Sequence, residues 1–291
     1  MSALYTHLQL GRVSNLPTVW SNVAAGAALA GALIPDLRLL AVLVAMTLFY
    51  EAGMYLNDAF DREIDAIERP ERPIPSGRIS ATAVFCTGFA LMALAVACLW
   101  AAGVLAPGGT GWLGPLSALA LAAAIVLYDA WHKNNPLSPF LMGICRMLVY
   151  VVAALVMVES LPAKVLEGAA VLLAYLIGLT YVAKQENLVS FKGGWPLLFL
   201  ACPIVYFPFL AWATPSGIVI YIGLVLWIGY ALTILLRPTP GHVPKAVISL
   251  IAGISLIDAL FVVVGGHPVM AWGCVSAFAA TLLLQRLVSG T

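Results

Sequence analysis

Between Asn57 and Asp65 the chain places Asp58, Asp61, Glu63 and Asp65, four of its thirteen acidic side chains within nine residues. Acids crowd against their mutual repulsion when a cation sits among them, and a divalent metal is the usual cause. On a helix Asn57, Asp61 and Asp65 fall at i, i+4 and i+8, with Asp58 three residues before Asp61, so the set shares one face. Oxygen donors of this kind suit Mg²⁺, which keeps several waters and is completed by substrate phosphates. Arg69, Arg72 and Arg78 follow at once, in a stretch stiffened by Pro70, Pro73 and Pro75 and turned at Gly77. Stiffened guanidinium forks beside a metal site are what a diphosphate needs. A plainer reading pairs these arginines with Glu63, Glu68 and Glu71; it accounts for one or two of them and leaves the acids unexplained.

Two further polar clusters stand out of the apolar background. Tyr128 to Pro136 (YDAWHKNNP) carries Lys133, a point charge able to reach a phosphate, and Tyr181 to Asn187 (YVAKQEN) carries Lys184 and one acid, Glu186. Arg146 lies inside an apolar segment, one turn beyond Gly143, and a buried arginine in such a place needs an anion or strong acceptors. Asn22, Glu51 and Tyr55 are polar groups on the first two apolar segments, read as pocket or interhelical partners. Asp258 is read as pairing within the helices and not as binding substrate. His242 and His267 are isolated, and the five cysteines show no CxxC spacing and read as small buried hydrophobes.

The elements that carry these residues must be membrane helices. The 291 residues are 63% hydrophobic and 9% charged, with a mean hydropathy of +1.02, far from the roughly 25% charged residues of a soluble domain. A span takes about 20 mostly apolar residues. Ten such stretches can be marked, at 16–34, 38–57, 80–104, 112–130, 138–159, 164–186, 195–213, 216–236, 245–264 and 268–287, divided by Gly and Pro. The short breaks require antiparallel neighbours. The expected fold is a single all-α domain over residues 1–291, a polytopic transmembrane bundle of nine to ten spans around a central cavity. With the N-terminus in the cytoplasm, one side collects eleven basic residues and the other only Arg38 and Lys164. That asymmetry puts the motif loops and both termini on the cytoplasmic face of an inner or plasma membrane. No basic run points to nucleic acid, and no cleavable leader is expected ahead of the first apolar run near Leu16.

The pattern N-D-x-x-D-x-x-x-D at 57–65, followed by R-P-E-R-P-I-P-S-G-R at 69–78, resembles the first aspartate-rich motif of the UbiA superfamily of intramembrane prenyltransferases. The likeness extends over essentially the whole chain, through the cluster after the fourth span, Gly143 and Arg146 in the fifth and a polar loop after the sixth. It implies a bundle of about nine helices around a cavity. It also implies that Asn57, Asp58, Asp61 and Asp65 bind Mg²⁺ and a prenyl diphosphate, with Asn57, Asp61 and Asp65 on the metal, while Arg72 and Lys133 assist the leaving group. The family's second motif, D-x-x-x-D, is replaced here by Lys184-Gln185-Glu186-Asn187, so Lys184 stands in for positive charge that a second ion would bring. The run Glu68 to Ile79 with the tail Tyr181 to Glu186 is similar to the EboC-like branch. It is similar also to the branch that prenylates glycerol-phosphate lipids, which keeps more acids in its second motif.

The implied activity is Mg²⁺-dependent transfer of a prenyl group from an isoprenoid diphosphate to an unidentified acceptor within the membrane. Arg72, Lys133, Arg146 and Lys184 would act on the diphosphate, with Glu186 beside them. Asn22, Glu51, Tyr55, Tyr128 and Tyr181 would line the pocket, and Tyr55, Phe60 and Tyr181 would shield a carbocation. A carrier that binds an isoprenoid diphosphate or lipid without transfer remains the alternative, favoured by the altered second motif. A transporter ranks lowest, because the charge crowds one face instead of the midplane.

Overall fold

The computed structural model describes residues 3–32, 36–185, 193–237, 239 and 241–288. These are almost wholly helical, and among them there is no strand. A short α1 (Ala3–Leu10) is joined by a tight elbow to α2 (Leu16–Leu29); α3 (Leu37–Phe60) and α4 (Arg62–Glu68) follow. Next come α5 (Ala81–Trp100), which widens into a π turn at Ala101–Leu105, α6 (Leu113–Trp131), α7 (Ser138–Met157) and α8 (Ala163–Ala183). The chain closes with α9 (Trp195–Leu200), α10 (Cys202–Tyr206), α11 (Pro208–Ala211), α12 (Pro215–Leu235), α13 (His242–Val264) and α14 (Pro268–Leu284).

Each of the ten apolar stretches has a helical counterpart. Seven are single helices long and apolar enough to cross a membrane: α3, α5 with its π turn, α6, α7, α8, α12 and α13. The first stretch is shorter than expected, because α2 stops at Leu29, and α14 has 17 residues. The seventh stretch is not one helix. Pro196, Pro203 and Pro208 each sit in the first turn of a separate short piece, where a missing N–H costs nothing; inside a continuous helix each would have broken the ladder.

The helices form two packed halves. One apolar core gathers α3, α5 and α6 with faces of α2 and α7; the other gathers α8, α12 and α13 with the opposite faces of the same two helices. α2 can serve both halves because its small residues let its neighbours come close. At Gly26 a Cβ would lie 2.8 Å from the Tyr150 carbonyl oxygen and 2.9 Å from its Cα, so only glycine permits this α2–α7 approach. α13 is the most deeply enclosed of the long helices. Leu40, Val219, Leu226 and Val269 point outward from the bundle, as side chains facing lipid do.

Candidate active site

A cavity of about 570 Å³ opens where the ends of α3, α6 and α8 meet the start of α7. Its mouth is polar: Arg12, Asn57, Asp61, Glu68, Arg69, Arg72, Asp129, His132, Lys133 and Lys184 line it. Its interior is apolar, walled by Val19, Met46, Phe49, Leu121, Ile125, Val149, Leu176 and Ile254. Helical period explains how α3 contributes. Tyr50, Gly53, Met54, Asn57 and Asp61 line the cavity at spacings of three, one, three and four, one stripe of the helix.

α3 ends at Phe60, yet the amide of Asp61 donates to the Asn57 carbonyl, that of Asp65 to Asp61 and that of Arg69 to Asp65. The i, i+4, i+8 spacing is therefore realised across the junction into α4. The carboxylates are already engaged. Arg72 reaches Asp65 at 2.7 Å and Asp58 at 3.3 Å, and Arg12 reaches Asp58 at 2.8 Å. Asp58 and Asp65 thus sit behind the cavity wall, tying the proline-stiffened loop and the α1–α2 elbow to α3, so that neither lines the site and Asp65, expected on the metal, is held by Arg72 instead. Asp61 faces the cavity and meets His132 at 3.3 Å and Lys133 at 3.5 Å. Burial pushes the Asp61 carboxyl up, but the hydrogen bond and charge of His132, with Lys133, outweigh it and leave Asp61 below the usual aspartate range. For Arg12, burial works against the charged form, but the charge of Asp58 prevails and raises the guanidinium above its ordinary value.

Several of these residues were not singled out from sequence. Asp129 is buried and accepts from the Asn57 amide at 3.2 Å, while its Oδ2 is buried without a hydrogen-bond partner. His132 stacks on Tyr128 with ring centroids 4.9 Å apart. Both belong to the cluster marked after the fourth span, where only Lys133 and Tyr128 were named. In the sequence Arg12 is only one of the eleven basic residues on one side. Its backbone adopts the left-handed conformation (φ 43°), uncommon for a side-chain-bearing residue, and Tyr50 holds its carbonyl at 3.2 Å. That elbow is what turns the guanidinium toward Asp58, and no local signal in the sequence marks it.

Four of the five expected pocket residues, Asn22, Glu51, Tyr55 and Tyr181, lie off the cavity wall. Glu51 and Tyr55 are on a different face of α3 from the lining stripe: Glu51 packs under Gly11, and Tyr55 bonds His7 at 2.7 Å, so both serve the docking of α1. Tyr181 turns away from the stripe of α8 formed by Leu176, Leu179, Thr180, Ala183 and Lys184; it bonds the Pro136 carbonyl at 2.9 Å and packs edge-on against Trp195. Phe60 packs on Phe85. The aromatic rings on the cavity wall are Phe49, Tyr50 and Tyr128. Lys184 lines the cavity as expected, held by the Asn135 carbonyl at 2.7 Å and Ser138 Oγ at 2.9 Å, and burial lowers its ammonium below the usual lysine value. Glu186 lies outside the described residues. Asn22 stands behind Arg146, itself a wall residue, and accepts from it at 2.7 Å.

Among the described residues no three His, Cys, Asp or Glu side chains converge into a closed metal cage. The donors at the mouth still fit Mg²⁺. Asn57 and Asp61 face the cavity, and the unpartnered oxygen of Asp129 lies beside Asn57. Mg²⁺ is normally held by one or two carboxylates with waters and substrate phosphates rather than by a full protein cage.

Comparison with known proteins identifies the family. The UbiA prenyltransferase family model matches residues 16–254. Digeranylgeranylglyceryl phosphate synthase of Methanothrix thermoacetophila is 41% identical over 87 residues, 30% of this chain and 33% of that protein. The enzyme of the same name from Natronomonas pharaonis is 34% identical over 129 residues, 44% of each chain. The chain thus matches only a third to under half of these relatives' length. Among solved structures, the apo structure of a UbiA homologue from Aeropyrum pernix K1 superposes with a TM-score of 0.66 at 18% identity, covering 84% of this chain and 97% of that one. A UbiA homologue from Archaeoglobus fulgidus bound to DMAPP and Mg²⁺ gives 0.52 at 13% identity, covering 91% and 99%. At these identities the superpositions speak for the fold. With the family model spanning most of the sequence and solved UbiA homologues sharing the helical fold, this integral membrane protein belongs to the UbiA prenyltransferase family.

Proposed function

We propose that the chain transfers a prenyl group from an isoprenoid diphosphate to an acceptor within the membrane, with Mg²⁺ at the mouth of the cavity. The observation that carries this is the division of one cavity into a mouth of oxygen donors and cations and an apolar interior. In this reading Asn57, Asp61 and Asp129 hold the metal. Arg69, Arg72, Lys133 and Lys184 face the diphosphate oxygens, with Arg12 beside them. When bound, Mg²⁺ neutralises phosphate charge and so stabilises the leaving diphosphate.

The chain's own groups do the rest. The basic side chains take up charge on the leaving oxygens as the C1–O bond breaks and its electron pair departs with the diphosphate. The apolar wall holds the isoprenoid tail and keeps water from the allylic cation, and Phe49, Tyr50 and Tyr128 offer ring faces to it. The acceptor then supplies an electron pair to C1 and loses a proton. In this reading the mouth and both termini face the cytoplasm, supported by the excess of basic residues on that side.

Binding without transfer is the second reading. It is favoured by Lys184 standing on the cavity wall, at the start of the segment where the family's second motif would supply acids for a second ion. One experiment separates the two: pyrophosphate release from geranylgeranyl diphosphate by the purified chain in proteoliposomes, with and without Mg²⁺, in the presence of a membrane lipid extract. Transfer predicts Mg²⁺-dependent release, reduced at least about 100-fold in Asp61→Asn and in Asp129→Asn. Tight diphosphate binding with no release in any extract would establish a carrier instead.

A further inference from the structure

Below the mouth lies a second polar device. Arg146 is eight residues past Ser138 on α7, about 12 Å down the helix from the mouth. Its guanidinium lines the cavity. One Nη donates to Asn22 Oδ1 at 2.7 Å and the other to Thr18 Oγ1 at 3.1 Å, and the group sits over the Tyr50 ring at 5.9 Å. Of the five N–H groups an arginine carries, three have no partner among the described residues. Asn22 cannot turn: its amide donates to both oxygens of Asp258, at 2.9 and 2.8 Å. Ser21 and Tyr150 donate to the same carboxylate. Thr18, Asn22, Tyr150 and Asp258 are all fully buried. Three donor groups turned to two oxygens are the surroundings of a carboxylate, which is acceptor-only.

We infer that Arg146 forms the acceptor subsite of this cavity, that Asn22 and Asp258 are the residues positioning it, and that it takes an uncharged oxygen, a hydroxyl or carbonyl of the acceptor. This rests on the transfer reading above. The placement argues for the acceptor because the oxygen donors and lysines that suit a diphosphate are at the mouth, about two helical turns away. The charge balance argues for a neutral group. Asp258 already compensates Arg146 through a single amide, so an anion bound here would leave one uncompensated negative charge in an apolar interior, which is costly. The three spare N–H donors instead suit an oxygen with free lone pairs. Anionic groups are thereby confined to the rim.

A matched pair of probes reads this without knowing the acceptor: 4-butylbenzamide and 4-butylbenzoate, alike in shape and different in charge. Their affinities for the full chain are measured by thermal shift in an ester-free detergent, so that no lipid carbonyl competes. The amide should bind at least about tenfold more tightly than the carboxylate. Asp258→Asn, which removes the compensating charge and keeps the shape, should invert that preference; Tyr150→Phe, a milder change, should narrow it. Arg146→Lys should weaken the amide about tenfold, since one ammonium cannot reproduce the fork. Equal or tighter binding of the carboxylate by the wild type, or an unchanged ratio in Asp258→Asn and Tyr150→Phe, would overturn the inference. Mg²⁺-dependent pyrophosphate release from geranylgeranyl diphosphate by the wild type, in proteoliposomes with the membrane lipid extract, is read beside it. If release persists while the probe preference fails, the subsite is wrong and the transfer reading stands; if release is absent, the transfer reading itself fails.

Discussion

Two arginine–carboxylate pairs flank the acidic segment at comparable distances, and they should differ several-fold in energy. Arg72 meets Asp65 at 2.7 Å with side-chain exposures of 13% and 3%, whereas Arg62 meets Glu63 at 2.9 Å with exposures of 41% and 83%. In the exposed pair, water screens the attraction, so its coupling should be about 0.5 kcal/mol or less. In the buried pair, removing one partner strands a charge that water cannot reach, which costs about 3–5 kcal/mol. Asp58 is protected from that fate, because Arg12 remains at 2.8 Å; Asp65 has no second cation among the salt bridges of the described residues. Arg72→Met should therefore destabilise by about 3 kcal/mol, and the double variant Arg72→Met/Asp65→Asn should recover much of it. Unfolding of each variant in detergent micelles, arranged as a double-mutant cycle, isolates the coupling. Arg62→Met with Glu63→Gln is the control. A coupling below about 0.5 kcal/mol for Arg72–Asp65, or one equal to the control, would refute the argument that burial sets the energy here.

Other outcomes follow from single contacts. Gly26→Leu should lower the midpoint of thermal unfolding and cost about 1–3 kcal/mol, because its Cβ meets the Tyr150 backbone and not a flexible side chain. Tyr55→Phe removes the bond to His7 on a face of α3 away from the cavity, so Mg²⁺-dependent diphosphate affinity should stay within about twofold; a tenfold loss would return Tyr55 to the site. Asp36 caps α3 by accepting from the Arg38 amide at 2.7 Å, and its hydrogen bonds from Arg38 hold its carboxyl below the ordinary value. A depressed folded pKa stabilises above the unfolded value and is lost as pH falls through the folded one. Asp36→Ala should thus cost about 1 kcal/mol at pH 7, and its thermal-unfolding difference from wild type should shrink as pH falls below about 4.

Much of this protein is legible in one dimension because a membrane leaves few choices. With no water to satisfy the backbone, apolar stretches of this length must be helices, and Gly and Pro mark where they end. Spacing alone gathers the acids between Asn57 and Asp65 into one cluster, though not into one lining face, since only Asn57 and Asp61 look into the cavity, and it marks Arg72, Lys133, Arg146 and Lys184 as cations out of place in an apolar chain. What spacing cannot supply is rotation and partnership across helices. Glu51 and Asn57 are six residues apart, yet one docks α1 and the other faces the cavity, because the packing of α3 against its neighbours decides which stripe is inward. Asp129 and Asn57 are 72 residues apart, and Asn22 and Asp258 are 236 apart; nothing local announces that they meet. Which carboxylate is held by an arginine and which looks into the cavity is a property of the assembled bundle, since a buried charge is defined by what surrounds it and not by what precedes it in the chain.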